Sequence, residues 1–341
     1  MSAPTVASGV SSGPDRPPGI DPYSYFAKFI TDRITENHQL PNNSWNGDLE
    51  LMHHWSTHTH LTLPRGEGVK KVWQSEVPRM ALEFRFLMNQ LLAVAAFHLA
   101  FLRPDRRQFY LLQASCHQKY AAQGIRVALA EITAENCHAL FAASALLVLG
   151  GFAAVTIQSE GSGPSVEDLL DIFILTRGVH DLLRTSDHII SKGPLQELFY
   201  LPEDSSSPQL AEVQAVIDRL GVLGSRIATR DLDSSVAALS EAGIHSLVVC
   251  IRSATAIRVV TTWPVYLSAD FIALLRQCHP APMSILAYFC VIIRATEAKF
   301  WYLRGWGVHV LTSITYRVEP SWKDLIEWPL SYLSTVSSEY S

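Results

Sequence analysis

The stretch ALFAASALLVLGGFAAV, residues 139–155, decides the fold because it has two readings. Seventeen residues with Ser144 as the sole polar side chain reach the short end of what crosses a bilayer. The same run makes a helix buried on all sides by other helices. Gly150 and Gly151 inside it, and the lack of flanking basic clusters, favour the core helix, and no membrane span is expected. A helix that is apolar all round needs a body of helices to cover it, so the rest of the chain is read for them.

Helical signals continue on both sides of the stretch. Thr133 stands where it can cap the apolar helix, and Asp48 can cap a helix running to about residue 62. Residues 84–102 are strongly apolar and stop at Pro104, after which Asp105 can cap a helix. That helix carries Phe109, Leu112, Cys116 and Tyr120 at spacings of three and four. SVED at 165–168 is a capping-box pattern, followed by Leu169, Phe173, Thr176, Val179 and Leu183 along one face. Further helices are expected over 210–223, 271–278, 284–303 and 322–333. Residues 234–262 are rich in β-branched side chains and allow a strand, but helix is the reading adopted. Residues 22–38 fit an amphipathic helix with Tyr23, Phe26, Phe29, Ile30 and Ile34 on one side. GWG at 305–307 marks a turn or a close helix contact. The expectation is an all-α fold, a single large multi-helix domain of about ten or more helices over 46–335. A disordered or weakly helical segment (1–45) precedes it and a tail (336–341) follows; residues 203–208, EDSSSP, read as a linker-like break.

Composition excludes several function classes. Hydrophobic residues make up 48% of the 341, and charged residues 17%, below the roughly 25% usual in soluble domains. The formal net charge is −5 and there is no run of Lys and Arg, so there is no broad footprint for nucleic acid. The five cysteines, at 116, 137, 250, 278 and 290, are too scattered for a zinc knuckle and read as free thiols. The N-terminus has no basic region followed by an apolar run, so it does not read as a signal peptide.

Residues 50–63, ELMHHWSTHTHLTL, hold four histidines and raise the question of a metal. His54 and His58 are four apart and share a helix face, a weak metal alternative to ordinary packing. A zinc site also wants a third or fourth ligand; His53 and His60 point elsewhere on such a helix, Glu50 is the one nearby carboxylate on a plausible face, and no cofactor is expected. No GxSxG, HExxH or P-loop lysine motif occurs. Asp168 and Asp171 read as a solvated first turn rather than a carboxylate–metal pair. Trp301, Trp306, Trp322 and Trp328 gather in the last fifth of the chain, as a bulky core or as the aromatic wall of an apolar cavity. The candidate ligand-binding residues are Leu147, Phe289, Ile293, Trp301 and Trp306, chosen for apolarity and location.

Several of these stretches, taken in order, resemble one family. ELMHHWSTHTHLTL is followed by VWQSEVPRMALEFRFLMNQLLAVAAFHLA, ENCHALFAASALLV and LTRGVHDLL, then by SILAYFCVIIRATEAKFWYLRGWGVHVLTSI and WKDLIEWP. This order resembles the regulatory region of fungal zinc binuclear cluster transcription factors, in the branch of the sterol uptake control regulators. The resemblance covers residues 48–332 and implies a nuclear (or cytoplasmic and nuclear) transcription regulator-like protein of fungal secondary metabolism. It further implies an apolar ligand such as a sterol or terpenoid, or pairing with other factors or itself. The family's DNA-binding module needs six closely spaced cysteines, whereas residues 1–47 contain none, so direct nucleic acid binding by this chain is not expected. The alternative is a cyclase-like biosynthetic enzyme on the same scaffold, drawing its acid or base from His98, His180 or Asp171.

Overall fold

A computed structural model describes residues 44–63, 67–158, 163–198 and 211–338. The expected helix at 22–38, the EDSSSP break and the end of the tail lie outside the described residues. Among the described residues every regular element is helical.

The first helix, α1, spans Ser44–Thr57, and a 3₁₀ turn follows over Thr59–Thr62. Asp48 is thus one turn inside α1 instead of capping it, and its carboxylate lies 3.2 Å from His117 Nε2. Glu67–Lys71 (α2), a π-helical turn over Val72–Glu76 and Val77–Ala81 (α3) come next. Pro78 sits in the first turn of α3 and has no N–H to donate backward, which suits a local change of helical pitch. Arg85–Leu102 (α4), Arg107–Ala128 (α5), Cys137–Gln158 (α6) and Val166–Ile190 (α7) are the long helices of the N-terminal half. Asp105 falls in a 3₁₀ turn over Pro104–Arg106, and no side chain caps α5.

Before α6, Thr133 and Asn136 bond reciprocally: Thr133 N–H donates to Asn136 Oδ1 at 2.9 Å and Asn136 N–H to Thr133 Oγ1 at 3.3 Å. The SVED capping box forms at α7. Ser165 N–H and hydroxyl both donate to Asp168 Oδ2 at 2.8 Å, and Asp168 N–H donates back to Ser165 Oγ. Asp168 is consequently buried, not solvated, and Asp171 pairs with Arg276 at 3.1 Å.

The C-terminal half holds Ala211–Ala228 (α8), Ser234–Ser253 (α9), Ala256–Tyr266 (α10), Ala269–Arg276 (α11), Pro280–Glu297 (α12), Trp306–Arg317 (α13) and Glu327–Ser338 (α14). The β-branched run near 247–262 is helical, with a break where Ala254 is extended. Asp233 caps α9 by accepting from Ser235 N–H, and Ser268 caps α11 by accepting from Phe271 N–H.

Two helices organise the packing. α6 is covered by α4, α5, α7 and the 3₁₀ turn Trp301–Leu303, and α12 by α8, α9, α10, α13 and α14. α7 joins the halves by touching α6, α10, α11 and α13. The buried apolar side chains form one continuous cluster.

By length and composition α4, α6 and α9 are long and apolar enough to cross a membrane, and α10 with α11 passes the same test as a pair bent by 100°. The fold buries 89% of the apolar window of α6 and 67% of that of α4, but 28% of that of α9. Residues 139–155 are therefore a helix enclosed by its own chain.

GWG serves both purposes expected of it. Gly305 takes φ +86°, a left-handed conformation that favours glycine, at the start of α13. A Cβ on Gly307 would lie 2.7 Å from Cys290 O and 2.9 Å from Arg294 Cβ, so its absence lets α13 close onto α12.

Candidate functional site

The histidine stretch folds into a buried imidazole cluster. α1 brings His54 and α4 brings His98, both buried. His54 Nε2 lies 3.1 Å from His98 Nδ1, and Thr59 Oγ1 lies 3.2 Å from the same nitrogen. The His98 ring stacks on Trp301 at 4.9 Å, and Trp301 also touches Phe101. The Trp301 indole N–H donates to Thr62 Oγ1 at 3.0 Å. His60 is buried and its Nδ1–H donates to Trp55 O at 2.8 Å, while the Trp55 indole donates to Trp73 O. Thr59 and Thr62 were not singled out from sequence; their spacing of three in THLT, just past a helix end, was the available signal.

Burial sets the electrostatics. Desolvation, then the neighbouring His58 and Arg103, holds the His54 pKa down to about 4. Desolvation, then His54 and His58, holds His98 down to about 3. Both imidazoles are neutral at physiological pH, so one ring donates where the other accepts. His58 stacks on His54 at 5.1 Å with ring planes 14° apart, and its Nδ1 lies 2.7 Å from Thr57 Oγ1. Metal ligation needs in-plane lone pairs that converge on one point, whereas these two rings lie nearly parallel. Among the described residues no group of three or more His, Cys, Asp or Glu could hold a metal ion.

The five candidate ligand-binding residues all lie in the core, but with different neighbours. Phe289 belongs to an aromatic nest in which Trp263 is 4.6 Å and Phe173 5.6 Å away. Trp306 sits edge-on to Phe152 at 4.9 Å, and its indole N–H donates to Thr156 Oγ1 at 2.9 Å. Thr156 Oγ1 in turn donates to Tyr302 O, which ties the end of α6 to the turn before α13. Trp301 belongs to the imidazole cluster. Leu147 on α6 and Ile293 on α12 are fully buried. Beside Trp306, the buried Glu297 accepts from Gly307 N–H at 2.8 Å and from Arg294 at 2.9 Å.

The residues weighed for acid–base chemistry are not brought together on α7. Asp171 and His180 stand nine residues apart on that helix, about 13.5 Å along its axis. Asp171 is engaged by Arg276, and His98 by His54 and Thr59.

No family model matches the chain. It is 25% identical over 275 residues to Sterol uptake control protein 2 of Saccharomyces cerevisiae, covering 76% of this chain and 29% of that protein. It is 28% identical over 179 residues to Sterol uptake control protein 2 of Candida albicans, covering 48% of this chain and 24% of that protein. A Zn(2)-C6 fungal-type transcription factor of Aspergillus fumigatus, afumD, is 24% identical over 261 residues, 70% of this chain and 65% of that factor. The chain thus spans under a third of each sterol uptake control protein and under two thirds of the Aspergillus factor. With its helices in place, this chain is similar, at 24–28% identity, to fungal transcription regulators, the sterol uptake control proteins among them.

Proposed function

We propose that the chain is a regulatory body of fungal transcription control that changes packing when an apolar ligand or another factor binds. The observation that carries this reading is the similarity to Sterol uptake control protein 2 across three quarters of the chain. A DNA contact made through a six-cysteine zinc module must come from outside these 341 residues, which hold five cysteines. The protein would act in the nucleus through such a partner, in control of secondary metabolism. On this reading α4 and α6 remain core helices and no membrane is crossed.

The candidate wall residues are already packed against rings and helices, which bears on mechanism. An apolar molecule reaching Phe289 or Trp306 must displace those neighbours. It therefore binds a minor, looser packing and shifts the population toward it. Its apparent affinity falls by the fraction of that competent state.

Deleting the gene in its host and sequencing the transcripts tests the role. A defined set of genes should change in abundance. Unchanged transcripts with an accumulated metabolic intermediate would sink the proposal. Titrating the full chain with a fluorescent sterol then separates ligand sensing from partner binding: saturable binding supports the first, and its absence leaves the second.

A further inference from the structure

Tyr288 lies on α12 and is 5% exposed, yet its hydroxyl keeps some access to solvent and has no hydrogen-bond partner among the described residues. A buried tyrosine ordinarily finds a partner for its O–H. The ring stacks on Trp328 of α14, with centroids 5.4 Å and planes 24° apart. α8 brings two guanidinium groups to the hydroxyl. Burial raises the Tyr288 phenol pKa, and the charges of Arg219 and then Arg226 pull it back, so both lie close enough to act on that oxygen. Seven residues apart on α8, Arg219 and Arg226 face the same way within about 20° and stand about 10.5 Å apart along the axis.

The two arginines are engaged differently. Arg226 donates to the Asp324 carboxylate and, at 3.2 Å, to its carbonyl; Arg230 donates to both oxygens of the same carboxylate at 3.0 and 2.8 Å. Arg219 pairs with no carboxylate among the described residues, and its guanidinium stands 5.6 Å from the centroid of the Trp328 ring. A phenol O–H without an acceptor and a guanidinium without a carboxylate therefore border one notch between α8 and α14, with the Trp328 indole as its apolar wall. We propose that this notch binds the carboxylate of a small organic acid, one oxygen accepting from Tyr288 and the other from Arg219, while Arg226 adds its field. Charge decides the class. Arg219, Arg226 and Arg230 are positive and Asp324 offsets one of them, while the exposed Asp218 and Glu327 adjoin Arg219 and Trp328 in sequence. That surplus suits a monoanion and is too small for a phosphate dianion. The indole wall favours an acid whose body is aromatic or apolar. The notch differs from the packing around Phe289 and Trp306 in that it recognises a charge.

The test is titration of the full chain with sodium benzoate at constant ionic strength, read from the Trp328 indole N–H resonance, which Trp328→Phe identifies. Benzoate should shift that resonance to saturation. Benzamide, its neutral analogue, and inorganic phosphate should bind at least about tenfold more weakly. Tyr288→Phe keeps the ring, and Arg219→Gln changes an exposed residue. Each should weaken benzoate about tenfold or more, while Arg126→Gln on the exposed side of α5 leaves it unchanged. Thermal melts establish that each variant is folded, and Arg219→Gln decides the matter should Tyr288→Phe melt early. The proposal is overturned if benzoate has not saturated the shift by about 50 mM. It is equally overturned if phosphate or benzamide binds as tightly, or if either folded variant binds benzoate as the unaltered protein does.

Discussion

At the scale of single residues, the imidazole cluster predicts a pH response. His54 and His98 have folded pKa values near 4 and 3, below the ordinary 6.5, so the unfolded chain binds more protons between those limits. Stability from these groups is complete above pH 6.5 and is lost as pH falls toward 3, by up to about 1.4 kcal/mol per pH unit for each histidine. Urea midpoints measured from pH 7 to pH 4 should fall accordingly, and His98→Gln should flatten the slope; an unchanged slope refutes the assignment. Gly307→Ala is expected to cost about 1–3 kcal/mol, because its methyl meets the α12 backbone at Cys290. Thermal melts check this, and a silent substitution would mean the two helices separate freely. Of the site itself, the sequence offered the histidines but not their partners. His54 and His98 are 44 residues apart, and pairing at that separation is set by how α1 crosses α4, which no local pattern encodes.

At the scale of elements, local chemistry was most legible where side chains close on their own backbone. The Ser165–Asp168 box and the Thr133–Asn136 pair could be read because a cap involves residues only three apart. Ser165→Ala should lower stability by about 1 kcal/mol, and a double-mutant cycle with Asp168→Asn should show coupling. Additive effects would mean that the two side chains do not act together. Where the pattern misled, tertiary packing had overruled it. Asp48 has the chemistry of a cap yet serves inside α1 against His117, and α9 and α10 are helical despite their β-branched residues. In α5 the periodicity announced a helix correctly but not which side is buried, because Gln113, His117 and Gln118 are hidden among neighbours.

At the scale of the molecule, one continuous core links both halves, so unfolding should be a single cooperative event. Phe289→Ala, in the nest with Trp263 and Phe173, is expected to cost about 3–5 kcal/mol and to shift circular dichroism and tryptophan emission together. Two separated transitions would show instead that α6 and α12 organise independent units. The all-α class was readable from composition and the apolar run at 139–155; the assignment of ring neighbours was not, since it depends on contacts between α6, α12 and α13. The stack of His98 on Trp301 has an optical consequence. A protonated imidazole quenches an adjacent indole, and these two rings come from α4 and from the turn before α13, far apart in sequence. The protein thus carries a built-in fluorescent gauge, darkening only as pH nears 3 while α4 and the Trp301 turn stay joined and shifting colour once they part.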